Sequence, residues 1–127
     1  MNKYSVMPTF KYSDEDMLDI ISSAVYDISY WGGIHDSNEY YEARDELNKE
    51  DRTYEDILYH MLKKGDKISM YDVEDECETW DLTLDKLLNG MKLTIENGYW
   101  TGEIDSVDGE VGDIIFQYAL FNEIVYG

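Results

Sequence analysis

One cysteine, two histidines and a run of closely spaced carboxylates are the side chains of this 127-residue chain best suited to hold a metal or carry a nucleophile. The stretch YDVEDECETWD, residues 71–81, places Asp72, Glu74 and Glu76 in alternation, with Asp75, Cys77, Glu78 and Asp81 among and after them. Alternating oxygen ligands suit a calcium loop, and a loop starting at Asp72 would use Glu74 and Glu76 as its next ligands. Its sixth position needs glycine for the sharp turn and holds Cys77; its twelfth needs a bidentate Glu and holds Thr83. The calcium reading fails at both. Zinc asks for about four ligands, drawn mainly from Cys and His. Cys77, His35 and His60 stand at no short paired spacing, so no metal or cofactor is assigned.

Catalysis is equally thin. A reactive cysteine is a thiolate, favoured beside cationic groups, whereas Cys77 is flanked by Glu76 and Glu78. The chain has no nucleophile elbow, no paired-histidine zinc motif, no CxxC and no glycine-rich phosphate loop. Carboxylate pairs occur everywhere and so single out nothing. No catalytic residue is assigned, and the chain is not expected to be an enzyme.

Charge is the feature that remains. Twenty-nine acidic against 10 basic residues leave a formal net charge of −19. That balance opposes binding to free nucleic acid and to anionic membranes, both of which need clustered Lys and Arg. It favours a basic protein partner and would speed that encounter at low salt. Residues 68–85 hold seven acids and no Lys or Arg, and residues 93–127 hold seven more, again with no Lys or Arg. Duplex DNA carries one charge per ~1.7 Å, so 19 charges correspond to about 32 Å of duplex, comparable with the diameter of a domain this size. Tyrosine and tryptophan favour interfaces and stack on arginine. Tyr71, Asp72, Glu74, Asp75, Glu76, Glu78, Trp80 and Asp81 therefore form the candidate partner-binding set. Exposed roles are also expected among Tyr40, Tyr41, Tyr99 and Trp100, with Trp31 and Tyr118 in the core.

The elements that must carry these residues are readable in the apolar spacing. Ser13 caps a helix with Asp14, Glu15 and Asp16 in its first turn and an apolar face of Met17, Ile20, Ile21, Ala24, Val25 and Ile28. Gly32 and Gly33 are expected to end it. Residues 1–12 suggest a short strand or arm, and residues 34–52 a loop with a short helix. Thr53 or Asp51 caps a helix with Ile57, Leu58, Met61 and Leu62, closed at Gly65. KISMYDV and ETWDLT read as a hairpin turning at residues 74–77. Thr83 caps the next helix, which Asn97-Gly98 closes, and a last one starts near Asp108. The tail NEIVYG is apolar enough to pack back. Length, 43% hydrophobic residues and one proline point to a single α+β domain over residues 1–127, mostly helical, with a small antiparallel hairpin or sheet. A lone cysteine forms no internal disulfide, and neither a leader-like nor a membrane-spanning apolar run is read, so cytoplasm is the expected compartment.

The segments AVYDISYW, KISMYDVEDECETWDLT feeding LDKLLNGMKLTIENGY, and above all YALFNEIVYG resemble a group of small acidic proteins encoded by tailed phages and prophages of gut Gram-positive bacteria. The likeness runs from about residue 13 and is weakest across 32–52. Members carry Cys directly after the Tyr-Trp pair, where this chain has Gly32. The resemblance implies a phage accessory protein of the bacterial host's cytoplasm and carries over no catalytic residue. Small acidic phage proteins often inhibit host defence, as anti-CRISPR proteins and DNA mimics do. By that analogy the expected partner is a Cas nuclease or another basic nucleic-acid-binding defence protein. The alternatives are a phage structural or regulatory interaction protein whose acidity serves solubility, and a metal-binding protein.

Overall fold

Three helices begin where a hydroxyl was expected to cap them, at Ser13, Thr53 and Thr83, and a fourth begins next to Asp108, as expected. Ser13 accepts from the Asp16 N–H while the Asp16 carboxylate accepts from the Ser13 N–H, a reciprocal capping box that Thr53 and Asp56 repeat. Thr83 and Asp108 cap through a single bond each, to Lys86 N and Val111 N. The computed structural model describes residues 2–7 and 10–127; Met1, Pro8 and Thr9 of the N-terminal segment lie outside the described residues.

In chain order the elements are β1 (Asn2–Met7), β2 (Phe10–Ser13), α1 (Asp14–Asp27), β3 (Gly32–Ile34), α2 (Asn38–Glu46), α3 (Tyr54–Lys63), β4 (Ile68–Asp72), β5 (Asp75–Leu82), α4 (Leu84–Glu96) and α5 (Gly109–Phe121). Short 3-10 turns follow α1 at Ile28–Tyr30, precede α3 at Lys49–Asp51 and precede α5 at Ile104–Ser106. β1 and β2 form an antiparallel pair, and β3, β4 and β5 a second antiparallel sheet in that order. The fold is α+β, with five helices and two small antiparallel sheets among the described residues. Among the described residues no helix is long and apolar enough to cross a membrane.

Helix α5 is the hub. A Cβ on Gly112 would lie 2.8 Å from the backbone N of Ala24, and one on Gly90 would lie 2.5 Å from the Ile115 carbonyl oxygen. Glycine at these two sites lets α1 and α4 approach α5 to backbone contact, with Met17, Ile20, Ile21, Leu87, Met91, Ile115 and Phe116 filling the core around them. Helix α3 adds Ile57, Leu58, Met61 and Leu62, and the sheet adds Ile68, Met70 and Leu82. Both α3 and α4 end with paired bonds back into the last turn. Gly65 and Asp66 donate to Leu62 and Met61; Gly98 and Tyr99 donate to Ile95 and Thr94.

Three expectations need correction. Gly32 and Gly33 are not simply the end of a helix: after the 3-10 turn they begin β3, with Gly32 opposite Asp72 and Gly33 opposite Tyr71. The tip of the Tyr71 ring lies 2.3 Å from where a Gly33 side chain would start, so any larger residue there would have to displace that ring. The hairpin also turns earlier than residues 74–77, at Val73 and Glu74, with Asp72 opposite Asp75. The Asp72 carboxylate accepts the Glu74 N–H at 2.8 Å, a side-chain-capped turn that fixes this position. Of the rings among which exposed roles were expected, Tyr41 and Tyr99 are exposed, but Trp100 is 5% exposed: it stacks on Tyr12 with centroids 5.6 Å apart and donates its indole N–H to Glu103 O and Ser106 Oγ.

A candidate partner-binding surface at the acidic hairpin

The β4–β5 ladder pairs Ile68 with Leu82, Ser69 with Asp81, Met70 with Trp80 and Tyr71 with Thr79, then jumps to Asp72 opposite Asp75. Residues 76–78 therefore have no cross-strand partner and form a bulge at the tip. Asp75 accepts the Cys77 N–H at 3.2 Å, a second carboxylate-capped turn inside the bulge. The outcome is a short tip whose Glu74, Asp75, Glu76 and Glu78 are all exposed. Among the described residues no Lys, Arg or His comes within ion-pairing distance of these four.

The other four candidates sit lower on the hairpin and are engaged internally. Asp72 is half-buried and accepts both the Glu74 N–H and, at 2.8 Å, the Tyr126 hydroxyl. These bonds, the backbone one first, hold its carboxyl below the usual carboxylate range. Tyr71 packs over Gly33 and meets the His35 ring at 4.6 Å. Trp80 lies edge-on to Phe121 at 4.8 Å and near Trp31 at 6.0 Å. Asp81 pairs with Lys67 at 3.4 Å, just outside the acidic segment. The candidate set thus divides into an unpaired tip and an anchored base.

What holds the base is a network that the sequence reading did not single out. Asp113 on α5, 7% exposed, accepts from the Trp31 indole N–H at 2.8 Å, the Tyr30 hydroxyl at 2.7 Å and the Gln117 amide at 2.9 Å. Gln117 in turn accepts the N–H groups of Val125 and Tyr126 and donates to the Tyr126 carbonyl. The tail is drawn across the sheet until the Tyr126 ring stacks parallel on Trp31, centroids 5.0 Å apart and planes within 4°. Burial first, then the bond to Asp72, pushes the Tyr126 phenol up to about 12; burial and then Asp113 do the same to Tyr30. The available signal was a carboxylate and an amide four residues apart inside an otherwise apolar helix.

The potential metal ligands and nucleophile stay apart. Cys77 is exposed at the tip, His35 meets Ser69 at 2.9 Å, and His60 pairs with Glu46 at 3.0 Å. Among the described residues no three His, Cys, Asp or Glu side chains converge as metal ligands. What the hairpin can do chemically is present fixed negative charge and accept hydrogen bonds. No protein-family model, curated protein or solved structure matches this chain.

Proposed function

We propose that this chain is a phage-encoded, non-enzymatic inhibitor of a bacterial defence system, most concretely an anti-CRISPR protein acting in the host cytoplasm. It binds a Lys/Arg-rich nucleic-acid-binding surface of a Cas effector and blocks DNA loading or recognition. The observation that carries this reading is the tip: Glu74, Asp75, Glu76 and Glu78 stand exposed and unpaired on a bulge braced by two carboxylate-capped turns. Four carboxylates gathered on one turn and its bulge set up a negative field that is complementary to a phosphate-binding channel.

Purified protein is added to guide-loaded Cas effectors before target DNA, and cleavage is followed as salt is raised. Inhibition is expected to weaken steeply between low and physiological salt. Replacing Glu74, Asp75, Glu76 and Glu78 with Lys is expected to abolish it with the unfolding midpoint preserved. Unimpaired cleavage at large excess of inhibitor would sink this reading. It would favour instead a phage structural or regulatory interaction protein whose acidity serves solubility.

A further inference from the structure

Between the tip and the tail lies a depression of about 210 Å³ lined by Tyr30, Trp31, Asp72, Glu74 and Tyr126, with Gly127 at the rim. Three aromatic and two carboxylate side chains line it, and none of the lining side chains is cationic. We infer that this depression is an arginine-binding pocket, taking the guanidinium of one arginine from a basic protein partner.

The geometry suits that group in three ways. Tyr30 is 53% exposed, so a ring face is open, while its hydroxyl is held by Asp113 at 2.7 Å and keeps the ring in place. A planar cation stacks on such a face. Asp72 uses one oxygen for the Glu74 N–H and the other for the Tyr126 hydroxyl, which leaves about half of its four acceptor sites free. Glu74 offers an exposed carboxylate with no ion-pair partner among the described residues. A guanidinium presents its donors in a flat fork that can reach both carboxylates while its face lies on the ring. An ammonium has no flat face to stack and no fork, so arginine is selected over lysine. The pocket is also pre-built: Trp31 and Tyr126 are stacked, and the network through Asp113 and Gln117 fixes them before any ligand arrives. Pre-organised aromatic pockets that take arginine are the places where interface energy concentrates. That the arginine belongs to a Cas effector rests on the inhibitor reading above; the pocket's preference for arginine does not.

The test uses the full chain, isotopically labelled, titrated with N-acetyl-arginine amide and separately with N-acetyl-lysine amide. Shifts are expected at the Trp31 indole N–H and the Glu74 and Tyr126 amides, with arginine binding about two- to fivefold tighter than lysine. Glu74→Gln lies on an exposed turn and leaves folding intact; it is expected to weaken arginine binding severalfold. Tyr30→Ala is expected to remove the arginine preference and Tyr30→Phe to retain it. Shifts spread evenly over the acidic surface, equal for both probes, would overturn the pocket, as would no shift at these three positions. The cleavage assay separates the two claims. Arginine binding without nuclease inhibition overturns the inhibitor reading alone. Inhibition left unchanged by Glu74→Gln and Tyr30→Ala together overturns the pocket as the partner's anchor.

Discussion

Asp113 and the carboxylates of the hairpin tip are the same chemistry put to opposite uses. Asp113 is nearly buried and satisfied by three side-chain donors at 2.7 to 2.9 Å. At the tip, among the described residues, only Asp75 finds a donor, a backbone N–H, while Glu74, Glu76 and Glu78 are exposed. Burying a charge is costly unless hydrogen bonds replace its water, so Asp113 is bound up with the fold. The tip charges stay hydrated and repel one another, which leaves them available to an outside cation. A net charge of −19 is therefore not one property spread over a surface. It is a structural carboxylate in one place and displayed carboxylates in another, joined through Asp72 and Tyr126.

Removing the buried member should break the contrast most sharply. Asp113→Ala leaves the Trp31 indole, the Tyr30 hydroxyl and the Gln117 amide without their acceptor and is expected to cost on the order of 3 kcal/mol by urea unfolding. Asp113→Asn, which keeps one acceptor oxygen, should cost less. A loss under about 1 kcal/mol for the alanine variant would show the network to be ornamental.

Alkali probes the junction. Tyr30 and Tyr126 have folded values of about 12 against an ordinary 10.0, raised by burial first. The stability they contribute is complete below pH 10.0 and is lost as pH rises through about 12. Burial pushes Tyr54 on α3 up to about 12 as well, and Tyr12 and Tyr59 further, so alkaline unfolding draws on the core as well as on the junction. Asp72 works in the other direction. Its lowered carboxyl contributes stability above 3.8 that is lost as pH falls through the folded value. Tyr126→Phe should trim the alkaline loss and raise the Asp72 value; an unchanged alkaline profile would sever the junction from the base.

The smallest effect is expected at the tip itself. Glu74→Gln, Asp75→Asn, Glu76→Gln and Glu78→Gln combined should shift stability by no more than about 0.5 kcal/mol at physiological salt, and towards greater stability at low salt. Thermal unfolding at two salt concentrations measures this. A loss above about 1.5 kcal/mol would mean that the tip holds the hairpin together and that the division proposed here is wrong.

Legibility in the sequence followed the range of the interactions. Ser13, Thr53, Thr83 and Asp108 cap helices, and Gly65 and Gly98 close them, because a cap is satisfied within a few residues of itself. The apolar stripes of α1, α3 and α4 were equally local. Strand β3 was not legible, since Gly32 and Gly33 look like punctuation until β4, nearly forty residues on, pairs with them and lays the Tyr71 ring over Gly33. Trp100 in a loop read as exposed because Tyr12, its stacking partner, lies in the N-terminal hairpin. In the candidate site the acids were legible as a group, but their division into tip and base was not.

By itself, the sequence determined the charge, the helices with their ends, the core-facing stripes and the presence of an acidic hairpin. Each of these depends on residue type and short spacing. Only the tertiary structure decided which of the hairpin's carboxylates are engaged at its base, and that Tyr30, Trp31, Asp72 and Tyr126 meet around one depression. Those outcomes depend on contacts across 54 to 83 residues of chain, such as Tyr126 with Asp72 and Tyr30 with Asp113. No local pattern encodes contacts at such separations.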